Sequence, residues 1–377
     1  MTVINLIGRA SILLLLCLAV NPSLFADDQV IYPLAIGSAA PDFSLPGIDG
    51  RTHSLKDYAG AKILVVVFTA NHCPTAQAYE DRIIQLVRDY QGKGVAFVAI
   101  APNDPRAVRL NELAWTDLGD TLEEMKTRAQ EKGFNFLYLY DGATQKVSHA
   151  YGPVSTPHAF IFDSQRLLRY QGRIDNAEKI GTATQHDVRN ALDALLAGQP
   201  VLLETTKTFG CSIKWANKIE AVRADEEKLT KEPVTLEPID IDGVRALAKN
   251  DSSKLRLINV WATWCAPCQV ELPELVTMNR MYRGRDLELI TISADGPDKR
   301  NKVLTLLTEK QVAARNYIFD KEDNDALSAA LDKDWPGGFP YTVLIAPGGK
   351  VIHRQMGEID PLLLKKAIVG YLGRYFK

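Results

Sequence analysis

Cysteine is scarce in this chain, with five among 377 residues. Disulfide-stapled scaffolds are short and cysteine-dense, so that class is excluded. An excess of charge of one sign is also missing. The formal net charge is −2, which gives no electrostatic case for nucleic acid or anionic lipid as a partner. No stretch after the first 26 residues approaches the roughly 20 apolar positions a membrane span needs. The six histidines lie at no ligand spacing, and zinc normally wants four N/S ligands. The reading is therefore no metal and no cofactor beyond a redox-active disulfide. What remains is an ordinary soluble composition, 46% apolar and 24% charged, in a chain long enough for two domains with separate cores.

The first residues stand apart. Arg9 precedes an apolar run over 10–20, then Asn-Pro-Ser-Leu-Phe-Ala26 and Asp27-Asp28. This reads as a signal peptide over residues 1–26, cleaved near Ala26, which implies a periplasmic or other extracytoplasmic protein. An uncleaved anchor is the alternative. Cys17 would leave with the leader, so the mature chain keeps Cys73, Cys211, Cys265 and Cys268. So few cysteines in an exported protein point to catalytic rather than stapling use.

Two of them carry the strongest motif. Leu257-Ile-Asn-Val-Trp-Ala-Thr-Trp-Cys-Ala-Pro-Cys268 runs from an apolar, β-prone stretch into an amphipathic helix over 269–281. A thiol at a helix N-terminus meets partial positive charge and unpaired amides, which favour its thiolate. A second thiol two residues on is spaced to attack a mixed disulfide formed by the first. Half of a zinc site is the competing reading, and no second CxxC or His pair supports it.

The layout occurs twice. Ile63-Leu-Val-Val-Val-Phe-Thr-Ala-Asn-His-Cys-Pro-Thr-Ala76 repeats the strand-to-helix junction, with Ala76 where a second cysteine would stand. Thr156-Pro-His-Ala-Phe-Ile-Phe-Asp163 matches Phe339-Pro-Tyr-Thr-Val-Leu-Ile-Ala346, and each copy closes on an Asp, Asp175 and Asp360. A period this long means two copies of one domain rather than a solenoid. Strands are expected at 63–68, 95–100, 159–162 and 167–170, with helices after Cys73, from about Leu122 and over 185–196. In the second copy the expected strands are 257–260, 287–292, 342–345 and 351–355, with a closing helix from Pro361. Alternating βα units followed by two consecutive strands imply, in each copy, a mixed central sheet with helices on both faces, an α/β class. The expected division is 36–198, a linker at 199–236 without sustained period, and 237–377.

The second copy resembles the thioredoxin superfamily, most closely the exported TlpA/ResA-type thiol–disulfide oxidoreductases. The likeness rests on Trp264-Cys-x-x-Cys268, on Glu271 and Pro273, and on Pro340 before a late strand. The resemblance implies Cys265 as attacking thiolate, Cys268 as resolving thiol, and Trp264 with Pro340 (and Pro157 in the first copy) at a substrate groove, Pro340 after a cis bond. Where cytoplasmic thioredoxins keep a buried Asp, this chain has Asn259, so the proton work falls to Glu271, one turn beyond Cys268. A solvated surface role for Glu271 stays open.

The first copy resembles the peroxiredoxin-like branch, the alkyl hydroperoxide reductase/thiol-specific antioxidant type. It shares the lead-in Ala40-Pro-Asp-Phe-Ser-Leu-Pro-Gly-Ile-Asp-Gly50 and segments around Asn71-His-Cys-Pro74 and Gly210-Cys-Ser-Ile-Lys-Trp215. Both copies are thus expected to be tandem thioredoxin-like domains. The first departs from true peroxiredoxins: Thr69 is four, not three, residues before Cys73, and Val65 or Val66 stands in place of proline. The peroxide-facing Arg is missing as well, Arg173 being the nearest substitute by sequence.

Three readings of Cys73 stay open. It is a peroxidatic cysteine resolved by Cys211, a one-cysteine exchange site served by the second copy, or a buried relic in a client-binding module. His72 beside it favours a lowered thiol pKa. The implied partners are protein thiol or disulfide clients, an upstream thiol electron donor and, on the first reading, peroxide. A redox scaffold without catalysis and a copper-delivery protein are the other classes, the latter lacking a distinctive His ligand.

Overall fold

The structure, a computed structural model, describes residues 31–375. The leader reading of residues 1–26 and Cys17 lies outside the described residues. In chain order the elements are β1 (Ser44–Pro46), β2 (Thr52–Ser54), β3 (Ile63–Phe68), α1 (Pro74–Tyr90), β4 (Val95–Ala101), α2 (Leu122–Lys132), β5 (Leu137–Tyr140), α3 (Lys146–Tyr151), β6 (His158–Phe162), β7 (Leu168–Gly172) and α4 (Asp187–Leu196). They continue with α5 (Ile219–Leu229), β8 (Glu237–Ile239), α6 (Ile241–Lys249), β9 (Leu255–Trp261), α7 (Ala266–Tyr282), β10 (Leu287–Ser293), α8 (Arg300–Glu309), β11 (Arg315–Phe319), α9 (Asn324–Leu331), β12 (Tyr341–Ile345), β13 (Val351–Met356) and α10 (Pro361–Leu372).

Two sheets organise the chain. The N-terminal lobe has strand order β5-β4-β3-β6-β7, parallel across β5, β4 and β3 and antiparallel at β6 and β7. The C-terminal lobe runs β13-β12-β9-β10-β11-β8, with β12 and β13 antiparallel and the rest parallel. The strands 63–68 and 255–261 are each buried throughout, Arg256 and Asn259 included, because they are central and covered on both sides. Alternation divides them between faces. Ile63, Val65 and Val67 pack with Tyr79 and Ile83 of α1 and with α4, whereas Leu64, Val66 and Phe68 pack with Val147 and Tyr151 of α3. Likewise Leu255, Leu257 and Trp261 face α7 and α10, and Ile258 and Val260 face α6 and α9.

The stretch 199–236, expected to be a linker without sustained period, carries local structure. It begins by adding to the first sheet, where Gln171 pairs with Thr205 and Thr156 with Cys211. It then forms α5, a helix with one buried side chain, Val222. A single apolar anchor leaves no helical period to read.

Much of the contact between the lobes falls on one loop. Residues 114–117 receive Tyr282 and Arg285 from the end of α7 and Arg374 from beyond α10. The Tyr282 hydroxyl donates to the Thr116 carbonyl at 2.7 Å, Arg285 stacks 3.7 Å over Trp115, and Arg374 forks onto the Asp117 carboxylate. Among the described residues, no helix is long and apolar enough to cross a membrane.

Candidate functional site

The two lobes build the same junction. A buried strand ends, a short loop turns, and a cysteine becomes the N-cap of a long helix whose first turn contains proline. Proline costs little there because its missing N–H has no helical partner. Cys265 Sγ accepts from the Cys268 amide at 3.3 Å, and Cys73 Sγ accepts from the Ala76 amide at 3.4 Å.

Cys265 and Cys268 are joined by a disulfide. Their exposure is unequal, 5% against 0%, so an incoming thiolate meets Cys265 first. Beside them Trp264 is 63% exposed, its ring edge-on to Phe339 at 5.4 Å. The Phe339–Pro340 and Thr156–Pro157 bonds are both cis.

Glu271 lies on the buried side of α7. Its Oε1 accepts from Asn259 Nδ2 at 2.7 Å and its Oε2 from the Ile359 amide at 3.0 Å. Burial pushes this carboxyl up to about 7, against the two hydrogen bonds, which favour the ionised form. The surface reading of Glu271 is therefore corrected: α7 turns it inward beneath β9, next to Asn259, which also bonds Thr342.

Cys73 is fully buried. Besides Ala76, its sulfur accepts from the Cys211 amide at 3.3 Å and lies 3.2 Å from the Thr156 carbonyl, to which the thiol form donates. Cys211 is half-buried and both cysteines are free. Sequence could not say whether Cys211 reaches Cys73; the Thr156–Cys211 bridge brings it there. Burial works against a Cys73 thiolate. The Cys211 thiol, the charge on His72 and the Ala76 amide outweigh it and bring Cys73 down to about 6. Cys211 is pushed up by its interaction with Cys73 and by burial, so of the two sulfurs Cys73 is the one held toward its thiolate.

Asp120 is the residue that sequence reasoning missed. Its Oδ2 accepts from His72 Nδ1 at 2.5 Å and from Asn103 Nδ2 at 2.8 Å. His72 loses proton affinity to burial, but the Asp120 charge and hydrogen bond outweigh this and raise it. His72 Nε2, Ser155 Oγ and Thr156 Oγ1 are buried without hydrogen-bond partners among the described residues. Arg173, the substitute suggested by sequence, is bound to Asp187 and Gln185 instead. Among the described residues, no cluster of three or more His, Cys, Asp or Glu side chains is placed to hold a metal ion.

Several known proteins are similar to parts of this chain. Thiol-disulfide oxidoreductase ResA of Bacillus cereus is 28% identical over 158 residues, covering 40% of this chain and 80% of that protein. The ResA of Geobacillus thermodenitrificans is 29% identical over 194 residues, covering 51% and 96%. The crystal structure of a hypothetical protein from Sinorhizobium meliloti 1021 is 34% identical, with a TM-score of 0.44, covering 49% of this chain and 97% of that one. The AhpC/TSA family model matches twice, at residues 36–171 and 230–354, and with one match on each sheet and each cysteine-capped helix, the chain belongs to the AhpC/TSA family of the thioredoxin superfamily.

Proposed function

We propose that this is an exported thiol–disulfide oxidoreductase with two cysteine centres, in domains at 36–198 and 237–377 joined by 199–236. The relatives named thiol-disulfide oxidoreductase support the activity. The observation that carries the C-terminal centre is the Cys265–Cys268 disulfide at the start of α7, with the outer sulfur accessible and the inner one sealed. In the reduced enzyme Cys265 thiolate attacks a client disulfide, forming a mixed disulfide and releasing one client thiolate. Cys268 then attacks Cys265 Sγ, which frees the second client thiolate and closes the enzyme disulfide, so two electrons reach the client. Glu271, one turn away with a carboxyl near neutrality, takes the proton of Cys268. Trp264 and Pro340 flank the client backbone. An upstream thiol donor restores the dithiol.

The N-terminal centre is a peroxide-reducing pair. Cys73 thiolate attacks a peroxide oxygen: an S–O bond forms, the O–O bond breaks, and the departing oxygen leaves as water or alcohol after taking a proton. Cys211 then attacks the sulfenic sulfur, expelling water and forming a Cys73–Cys211 disulfide. The Cys211 contact supports resolution without a large rearrangement. The Ala76 and Cys211 amides, which donate to Cys73 Sγ, support its thiolate in the absence of the Arg and Thr of true peroxiredoxins. A dithiol, supplied by Cys265 and Cys268 or by the upstream donor, returns the pair to thiols, and Pro157 borders its approach.

The test is disulfide mapping of the reduced mature protein after one equivalent of hydrogen peroxide. A Cys73–Cys211 bond, absent in Cys73→Ser together with peroxide consumption, is expected. If both stay thiols while only Cys265–Cys268 oxidises, the N-terminal lobe is a client-binding module.

A further inference from the structure

The Cys73 centre contains a buried carboxylate, Asp120, whose polar contacts are with the two residues before that cysteine and with Asn103. Asp120 Oδ1 accepts from the Asn71 amide at 2.8 Å and the His72 amide at 3.1 Å. Its Oδ2 accepts from His72 Nδ1 and from Asn103 Nδ2. Asn71 Nδ2 adds a bond to the Gly119 carbonyl at 2.8 Å. One side chain thus fixes both the backbone and the ring of the residue adjoining Cys73. Because Nδ1 donates to a carboxylate, the ring orientation is set, and Nε2 is left buried without a partner among the described residues.

The loop leading to Asp120 is contacted from the other lobe. Its loop is gripped at Ala114, whose carbonyl accepts from Arg285 at 3.0 Å, at Trp115 by the same guanidinium, at Thr116 by Tyr282 and at Asp117 by Arg374. On the N-terminal side, Gln77 of α1 donates to the Trp115 carbonyl at 3.1 Å. A strap of seven residues (114–120) therefore runs from the C-terminal lobe to His72.

We propose that Asp120 is a positioning residue for Cys73, holding the His72 ring against it, and that the C-terminal lobe holds Asp120 through Tyr282, Arg285 and Arg374. The other charged and titratable groups around the site are largely paired among themselves. Lys214, on the segment that carries Cys211, bonds Glu112 at 2.5 Å. Glu80 of α1 is forked by Arg128 of α2. Tyr138 of β5 donates to the Thr69 carbonyl, and Cys211 bonds Cys73 itself. His72 with Asp120 is then the buried pair whose charge bears on the sulfur. A carboxylate on Nδ1 favours imidazolium, and imidazolium favours thiolate. This rests on Cys73 being the nucleophile of its pair, as proposed above, and not on peroxide being its substrate.

The experiment is an ultraviolet thiolate titration of the full mature chain carrying Cys265→Ser and Cys268→Ser, which reads Cys73 and Cys211 alone. Asp120→Asn keeps the shape and an acceptor for the two amides but removes the charge. The first thiolate midpoint is expected to rise by about one to three pH units. Arg374→Gln, with Asp120 intact, is expected to give a smaller rise in the same direction. An unmoved midpoint in a folded Asp120→Asn protein overturns the proposal. If that variant does not fold, Arg374→Gln decides: a rise supports the strap and an unchanged midpoint overturns it. No peroxide enters the titration, so a midpoint that moves in a protein consuming no peroxide sinks the peroxidase reading alone.

Discussion

The Cys211 amide donates to Cys73 Sγ at 3.3 Å, bringing together two cysteines 138 positions apart in the chain. This proximity lowers the Cys73 thiol and raises that of Cys211. A disulfide needs Cα atoms within about 7 Å, and an amide touching the partner's sulfur puts the two cysteines in that neighbourhood. Cys211→Ala keeps the amide and removes the resolving thiol. Sulfenate on Cys73 should then persist after peroxide and be trapped as a dimedone adduct by mass spectrometry, while the wild type shows the internal disulfide. Absence of the adduct in the variant would remove Cys73 as the peroxidatic residue.

Glu271 provides a test that depends on pH. Its folded-state pKa is raised by burial to about 7, from an ordinary 4.5. A raised pKa means the protonated carboxyl suits the fold. Its contribution is full below the unfolded value and fades as pH rises through about 7. Glu271→Gln does not titrate. The stability of the wild type relative to this variant should therefore fall, by on the order of 3 kcal/mol, between about pH 4 and pH 8. Urea unfolding of both oxidised proteins across that range measures it. A constant difference would mean that Glu271 titrates like a surface carboxyl.

The lobe contact makes a prediction about stability. Asp117 is sealed from solvent and its carboxylate is forked by Arg374. Removing one partner of a buried pair strands the other charge, at a cost of about 3 kcal/mol. Arg374→Ala should therefore lower the unfolding free energy by about that amount. Adding Asp117→Asn should recover much of it, because the stranded charge is gone. Losses that simply add would show that the pair is not coupled.

Much of this architecture was legible. The central strands announced themselves as largely apolar runs: 63–68 matches β3 residue for residue, and 257–260 falls within β9. The cysteine-capped helices followed from thiols placed directly after such runs. Other parts carried little signal. β8 has three residues and β11 five, and α5 buries only Val222. Cys211 stood out but could not be located, because a bridge to Thr156 depends on where the returning chain lies. Asp120 was invisible for a similar reason: it is a loop acid before a helix, and its role arises from contacts with residues almost fifty positions earlier. Tyr282, Arg285 and Arg374 read as ordinary helix and tail residues until the N-terminal lobe is set beside them.

Replacing Trp264 tests the proposed client groove apart from the thiol chemistry. A ring 63% exposed next to Cys265, with Val270 at 64% and Met356 at 56% among the other exposed apolar side chains of this lobe, contributes little to the core. Its edge-on packing against Phe339 leaves much of the indole available to a bound peptide. Trp264→Ala should change stability by no more than about 1 kcal/mol. Stacking of an aromatic ring on a protein client is worth about 1 kcal/mol or slightly more, so without it KM for a disulfide-bonded protein should rise about five- to tenfold. Reduction of the Cys265–Cys268 disulfide by a small dithiol should be unaffected, since such a reagent needs only the accessible sulfur. Equal losses with both substrates would mean that Trp264 acts on the cysteines themselves, through their geometry or their potential, and that the client is held elsewhere.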